Sequence, residues 1–167
     1  MRSTNKGFTL VELVVAVVIS SIVMLGVVGL VTFSVRQYYR VTADSKIQLE
    51  AQVLGDFLYP ALKTSKNFNQ YGNVFEIEKV ISIKDYETDS DLNWLYFIFD
   101  DIKDRVYLVK SATQISIEDL TYTDDNYLCS YVDEFIIEDD ITSYKVTFSF
   151  SNKGVNRRLV RHVVKKG

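Results

Sequence analysis

No charged residue or histidine occurs between Leu13 and Val35, and this apolar run is the strongest pattern in the chain. As a helix its roughly 23 residues extend about 35 Å at about 1.5 Å each, enough to cross a hydrocarbon core of about 30 Å. One carboxylate, Glu12, stands at the lip of the run. An unpaired acid costs about 2.5–3.5 kcal/mol at the bilayer centre and less near its surface, so Glu12 calls for a partner. From Arg36 to about Lys66 the helical spacing persists. Ile47, Ala51, Leu54, Leu58 and Ala61/Leu62 recur three and four residues apart, with Val53 and Phe57 widening the stripe. Glu50, Gln52, Asp56 and the polar run 42–46 supply the opposite, wet face. One long helix is predicted, its second half packing on the chain's own sheet. Pro60, the only proline, has no backbone donor and predicts a kink or an end close by. Gly26 and Gly29 loosen the apolar half without removing hydrogen bonds.

Past residues 67–73, read as the junction of stem and head, the period changes from helical to alternating. Strands are predicted at 74–84, 92–99, 105–110, 127–137, 144–151 and 157–164, all rich in Tyr, Phe, Val and Ile. Hairpin turns fall at 100–104 and 152–154. In the last hairpin Tyr144, Val146, Phe148 and Phe150 point one way, and Lys145, Thr147, Ser149 and Ser151 the other, giving a covered and a wet face. The fold class is α+β: a long N-terminal helix on an antiparallel β head.

The segment Lys6-Gly7-Phe8-Thr9-Leu10-Val11-Glu12-Leu13, preceded by Arg2 and followed by the apolar run, resembles the class III signal of type IV prepilins and pseudopilins. That resemblance implies a pilin-like fold. It also implies that a prepilin peptidase cuts on the cytoplasmic side between Gly7 and Phe8 and methylates the new amine of Phe8. Glu12 becomes the fifth residue of the mature chain and matches the family's conserved glutamate. The divisions that follow are a cleaved leader (1–7), a transmembrane and polymerisation helix (8–35), an exposed half-helix (36–66) and a β head (67–167). The freed amine, with a reference pKa of about 7.7–8.0, would lie near the depth of Glu12 on a neighbouring subunit. A Phe8–Glu12 pair would neutralise both groups and set axial register.

Residues 47–58 and the closing hairpin are similar to those of W-type minor pilins and J-type minor pseudopilins, while the proline that kinks many major pilins near the position of Gly29 is missing. The presence of Glu12 argues against the outermost tip position. The partners implied are the prepilin peptidase, other pilin subunits through the N-terminal helix, the cytoplasmic membrane and an assembly platform protein. The implied location is the cytoplasmic membrane, single-pass with the head outside, then a cell-surface pilus or pseudopilus. Two other readings stand beside a minor pilin precursor: a membrane-anchored extracellular binding module that never polymerises, and a competence pseudopilin for DNA uptake. An ordinary secretory signal also pairs a basic leader with an apolar run, but its apolar region spans about 7–15 residues and ends in a small-residue cleavage site.

Beyond the membrane segment about 130 of the 167 residues remain, enough for one domain. The chain carries a net charge of −3 and loses Arg2 and Lys6 with the leader, so nucleic acid is not an expected partner. The lone Cys129 cannot form an intramolecular disulfide and reads as a small buried strand residue. With abundant Lys, Asp, Ile, Asn and Tyr, the missing cysteine pair leans towards a Gram-positive source. One histidine, His162, and one cysteine make no metal site or triad, so no cofactor and no enzymatic activity are expected. Asp85, Glu87, Asp89 and Asp91 alternate, but as an EF-hand loop the segment puts Ser90 where glycine is needed and Tyr96 where glutamate is needed. A solvated acidic loop is the expectation. Trp94, Tyr96, Tyr122, Tyr127 and Tyr131 read as core, with an adhesive face as the alternative if three or more share the surface. Arg157, Arg158, Arg161, Lys165 and Lys166 read as a solvated basic strand face or a contact for acids such as Asp139 and Asp140.

Overall fold

In the computed structural model, residues 9–79 and 93–165 are described. Helix α1 runs Leu10–Lys63, and the chain divides into two compact units at Thr42/Ala43. In the first unit every apolar side chain of the run is exposed. Hydroxyls there bond back to the helix: Ser21 Oγ donates to Val17 O at 2.8 Å and Thr32 Oγ1 to Val28 O at 2.9 Å. Both polar groups are thereby satisfied without water, as an apolar surrounding demands.

The second unit is α+β. Its part of α1 buries Ala43, Ile47, Leu54, Gly55, Leu58, Ala61 and Leu62, the three-and-four spacing of a single face. The stripe is narrower than expected, since Val53 is half-buried and Phe57 is exposed with Lys110 Nζ 5.9 Å from its ring centre. Glu50 departs from the wet face, for its carboxylate accepts from Ser130 N at 3.1 Å and Ser130 Oγ at 3.3 Å. Pro60 lies inside the helix, which ends at Lys63 with Thr64 N and Oγ1 both donating to Pro60 O.

Residues expected to extend the helix or join it to the head instead form a strand. Two antiparallel sheets follow where one was expected. The first has β1 (Ser65–Tyr71), β2 (Val74–Lys79), β3 (Trp94–Asp100), β4 (Arg105–Ser111) and β5 (Tyr127–Ser130) in sequential order; the second has β6 (Val132–Asp139), β7 (Ser143–Asn152) and β8 (Val155–Val164). Gly72 at φ +59° starts the two-residue turn between β1 and β2, a Gly-Asn hairpin signal that lay hidden in the supposed junction. The predicted strand 127–137 is broken at Tyr131, whose φ of +64° sends the chain from the first sheet into the second. The turns at 100–104 and 152–154 stand as predicted.

One core joins these layers: Leu54, Leu58 and Leu62 of α1 cluster with Phe75, Ile77, Phe97, Val106, Cys129, Phe135, Val146, Phe148 and Phe150. Glu76 is nevertheless 2% exposed. It faces a strap, residues 112–126, that crosses the sheet: Gln114 Nε2 donates to Glu76 Oε1 at 2.7 Å, and Ile115 N to Tyr96 Oη at 2.7 Å. Tyr96 is buried, Trp94 and Tyr131 are half-buried, and only Tyr122 and Tyr127 of the five aromatics are exposed. Thr147, expected on the wet face, is buried in the central strand of its sheet, opposite Ile136 and Val160.

Candidate functional site

The start of α1 is built by a reciprocal cap. Thr9 N and Thr9 Oγ1 donate to Glu12 Oε2 at 2.9 and 2.8 Å, while Glu12 N donates to Thr9 Oγ1 at 3.4 Å. Thr9 and Glu12 therefore stand as N-cap and third helical residue of a capping box, closed by the first helical bond, Leu13 N to Thr9 O at 3.2 Å. The carboxylate also lies at the positive end of the helix dipole. The awkward acid of the apolar run has a partner three residues away in its own chain. The spacing Thr-x-x-Glu before an apolar run was a readable signal for it. Gly7 and Phe8 lie outside the described residues.

The cap uses one carboxylate oxygen. Oε1 of Glu12 makes no hydrogen bond among the described residues, and an ionised carboxylate offers about four acceptor sites. A second donor can therefore reach Glu12 without breaking the cap. Along α1 beyond it, the helix is long and apolar enough to cross a membrane, and none of its apolar window is buried among the described residues.

The other residues singled out in the sequence are dispersed. Cys129 is buried in β5 with its thiol pushed above the ordinary range, first by burial and then by the Glu50 carboxylate. His162 is exposed on β8. Among the described residues no three His, Cys, Asp or Glu side chains are grouped to hold a metal, and the acidic run 85–91 lies outside those residues. The basic strand finds partners within its own unit. Arg157 forks onto Asp44 at 2.8 and 3.1 Å, Arg158 approaches Glu134 at 3.7 Å, Arg161 lies 4.5 Å from the Tyr59 ring centre, and Lys165 pairs with Asp139.

Residues 2–28 match the prokaryotic N-terminal methylation motif, which covers Gly7, Phe8, the Thr9–Glu12 cap and the first part of the apolar helix. Neither the curated proteins nor the solved structures compared with the chain include a match. With this motif directly before an apolar helix whose membrane-length window is exposed among the described residues, the amino-terminal segment is a type IV prepilin-like class III leader.

Proposed function

We propose that this chain is the precursor of a minor type IV pilin or pseudopilin, a structural subunit rather than an enzyme. Prepilin peptidase cleaves between Gly7 and Phe8 and methylates Phe8. The apolar half of α1 then serves first as membrane anchor and afterwards as the stem through which the subunit joins, or primes, a filament. The observation that carries this reading is the methylation motif placed at the start of a helix whose charge-free apolar run, 13–35, is exposed among the described residues. Such a surface needs lipid or neighbouring stems around it.

Cleavage at that bond keeps the cap, because Thr9 and Glu12 both remain in the mature chain as its second and fifth residues. The new Phe8 amine of an adjacent subunit is the donor proposed for the remaining capacity of Glu12. The pair brings a cation to an acid in apolar surroundings, where an isolated charge is costly, and fixes one stem against the next along the axis. The head, in this reading, stays outside the cytoplasmic membrane and then on the cell surface.

Intact-mass and amino-terminal peptide mass spectrometry of the chain from its native membrane or filaments tests the proposal. The expected terminus is N-methyl-Phe8. A retained Met1, or a cleavage site after the apolar run, overturns it.

A further inference from the structure

We propose that the cleft between α1 and β8 binds a carboxylate-bearing sugar residue of an acidic polysaccharide. That the ligand comes from outside the cell rests on the function proposed above, whereas the cleft itself lies wholly within the second compact unit. Along β8 alternate side chains face the helix, and Arg157, Leu159, Arg161 and Val163 make up that row. The row is closed at its ends, where Arg157 forks onto Asp44 and Val163 is buried. Between them it stands open. Leu159 is 42% exposed, although Phe148 opposite it in β7 is wholly buried.

The opening comes from the helix. Its wall of the cleft is built by Gln48, Ala51, Gln52, Gly55 and Asp56, neighbours three and four residues apart on one side of α1. Ala51 and Gly55 carry nothing beyond Cβ, so the middle of that wall stays low. Tyr59 stands at the end of the row, with its ring against Gly55 and 4.5 Å from the Arg161 guanidinium. The space left has a volume of about 390 Å³, within the range of small-molecule sites, about 300–1,000 Å³.

The polar groups around this space name the ligand's chemistry. Arg157 and Arg158 are spent on Asp44 and Glu134, whereas Arg161 stacks on Tyr59 and makes no ion pair among the described residues. Stacking fixes the plane of the guanidinium and leaves its edge for a planar acceptor, and a carboxylate takes two such N–H donors in parallel. On the helix wall Gln52 and Asp56 are exposed and make no hydrogen bond among the described residues. Gln48 spends one amide N–H on Asp44 Oδ2 at 3.3 Å. An ionised carboxylate only accepts, so Asp56 favours a ligand with donors of its own and opposes a bare anion. An acidic protein side chain or a phosphate satisfies Arg161 and leaves Asp56 facing a like charge. A carboxylated sugar meets both: its carboxylate goes to Arg161, its hydroxyls donate to Asp56 and the glutamine carbonyls, and its C–H face lies on Ala51 and Leu159.

The test is saturation-transfer NMR and calorimetric titration of the full chain, extracted from membranes in detergent, at about 0.15 M salt, where long-range attraction between exposed charges is screened. The probes are short oligomers of galacturonate, glucuronate and N-acetylneuraminate, the methyl ester of each, and a glutamate-rich peptide of equal charge. At least one acidic sugar should bind, and its methyl ester should bind at least about tenfold more weakly. Arg161→Gln should cost at least about tenfold as well, and Ala51→Leu, which fills the cleft, should abolish binding. Arg158→Gln removes the same charge from the outer face of the same strand and should leave binding unchanged. Asp56→Ala should weaken the sugar, whereas it would strengthen a bare anion. Circular dichroism and melting curves confirm that the variants are folded. No binding of any acidic sugar, equal losses in Arg158→Gln and Arg161→Gln, tighter binding of the peptide, or a gain in Asp56→Ala overturns the proposal. The amino terminus is read in the same samples. An unprocessed terminus refutes the proposed function and leaves the titrations to decide the cleft, whereas a processed chain that binds no acidic sugar refutes the cleft site alone.

Discussion

Glu12 makes one interaction within its own chain, and a second, separable one is proposed for it. The cap with Thr9 satisfies first-turn donors, whereas the proposed pair with Phe8 of an adjacent subunit neutralises charge. Substituting one side should not equal substituting the other. Thr9→Ala removes the threonine half of the cap and costs about 0.5–2 kcal/mol of local helix stability. It should speed amide hydrogen exchange in the first turn while leaving filament incorporation intact, whereas Glu12→Ala should lose both. Equal incorporation by the two variants would sink the pairing role. Cys129 supplies a second single-residue test. Its raised pKa means that the folded chain holds the proton more tightly than the unfolded chain, so its contribution to stability is complete below the unfolded thiol's pKa of about 8.5 and falls as pH rises above it. The native protein at pH 8 should resist a thiol reagent that labels the urea-unfolded protein at once, and thermal stability should decline between pH 8 and 10 more in the wild type than in Cys129→Ala.

Among elements, the second half of α1 is held by more than its apolar stripe. Glu50 reaches over the end of β5 and accepts from the backbone and side chain of Ser130, with Tyr127 Oη at 3.4 Å. Glu50→Ala leaves the half-buried Ser130 N–H without that acceptor and should destabilise the head by about 1–3 kcal/mol, read as a shift in urea midpoint, while Gln52→Ala on the exposed helix face should change it by less than about 0.5 kcal/mol. Gly55 is explained by its neighbour: a Cβ there would stand 2.8 Å from the Tyr59 ring. That ring packs 6.3 Å from Phe148 and lies beneath the Arg161 guanidinium. Helix-interior glycine costs about 0.8–1.0 kcal/mol relative to alanine, and here it makes room for an aromatic link between helix and sheet.

For the molecule as a whole, the division into an apolar helix and an α+β unit was legible because both signals are local. A charge-free run needs no neighbour to be recognised, and the change of period from 3.6 to 2 beyond residue 73 marks the strands of the head, although it misses β1 (Ser65–Tyr71), which starts directly after the helix. The Thr9–Glu12 cap is equally local, a three-residue spacing whose partner is fixed by helix geometry, and so is the leader motif before it. Other features were decided at long range. A tyrosine at φ +64° is unfavourable by itself, and Tyr131 adopts that conformation where Cys129 and Val132 on either side are both wholly buried and Ser151 N bonds to its carbonyl. That one residue turns a predicted single strand into members of two sheets. Glu50 and Glu76, polar in any pattern, are drawn inward by Ser130 and Gln114, residues 80 and 38 positions away. The Arg157–Asp44 fork likewise joins residues 113 positions apart and exists only in the folded unit. The long apolar helix and the methylation motif follow from residue order alone, and the Thr9–Glu12 cap, which the sequence reading missed in looking for a partner on another subunit, depends only on neighbours within one helical turn. How the strands divide between sheets, and which charges meet, had to await the folded chain, because those contacts join residues that no local periodicity relates.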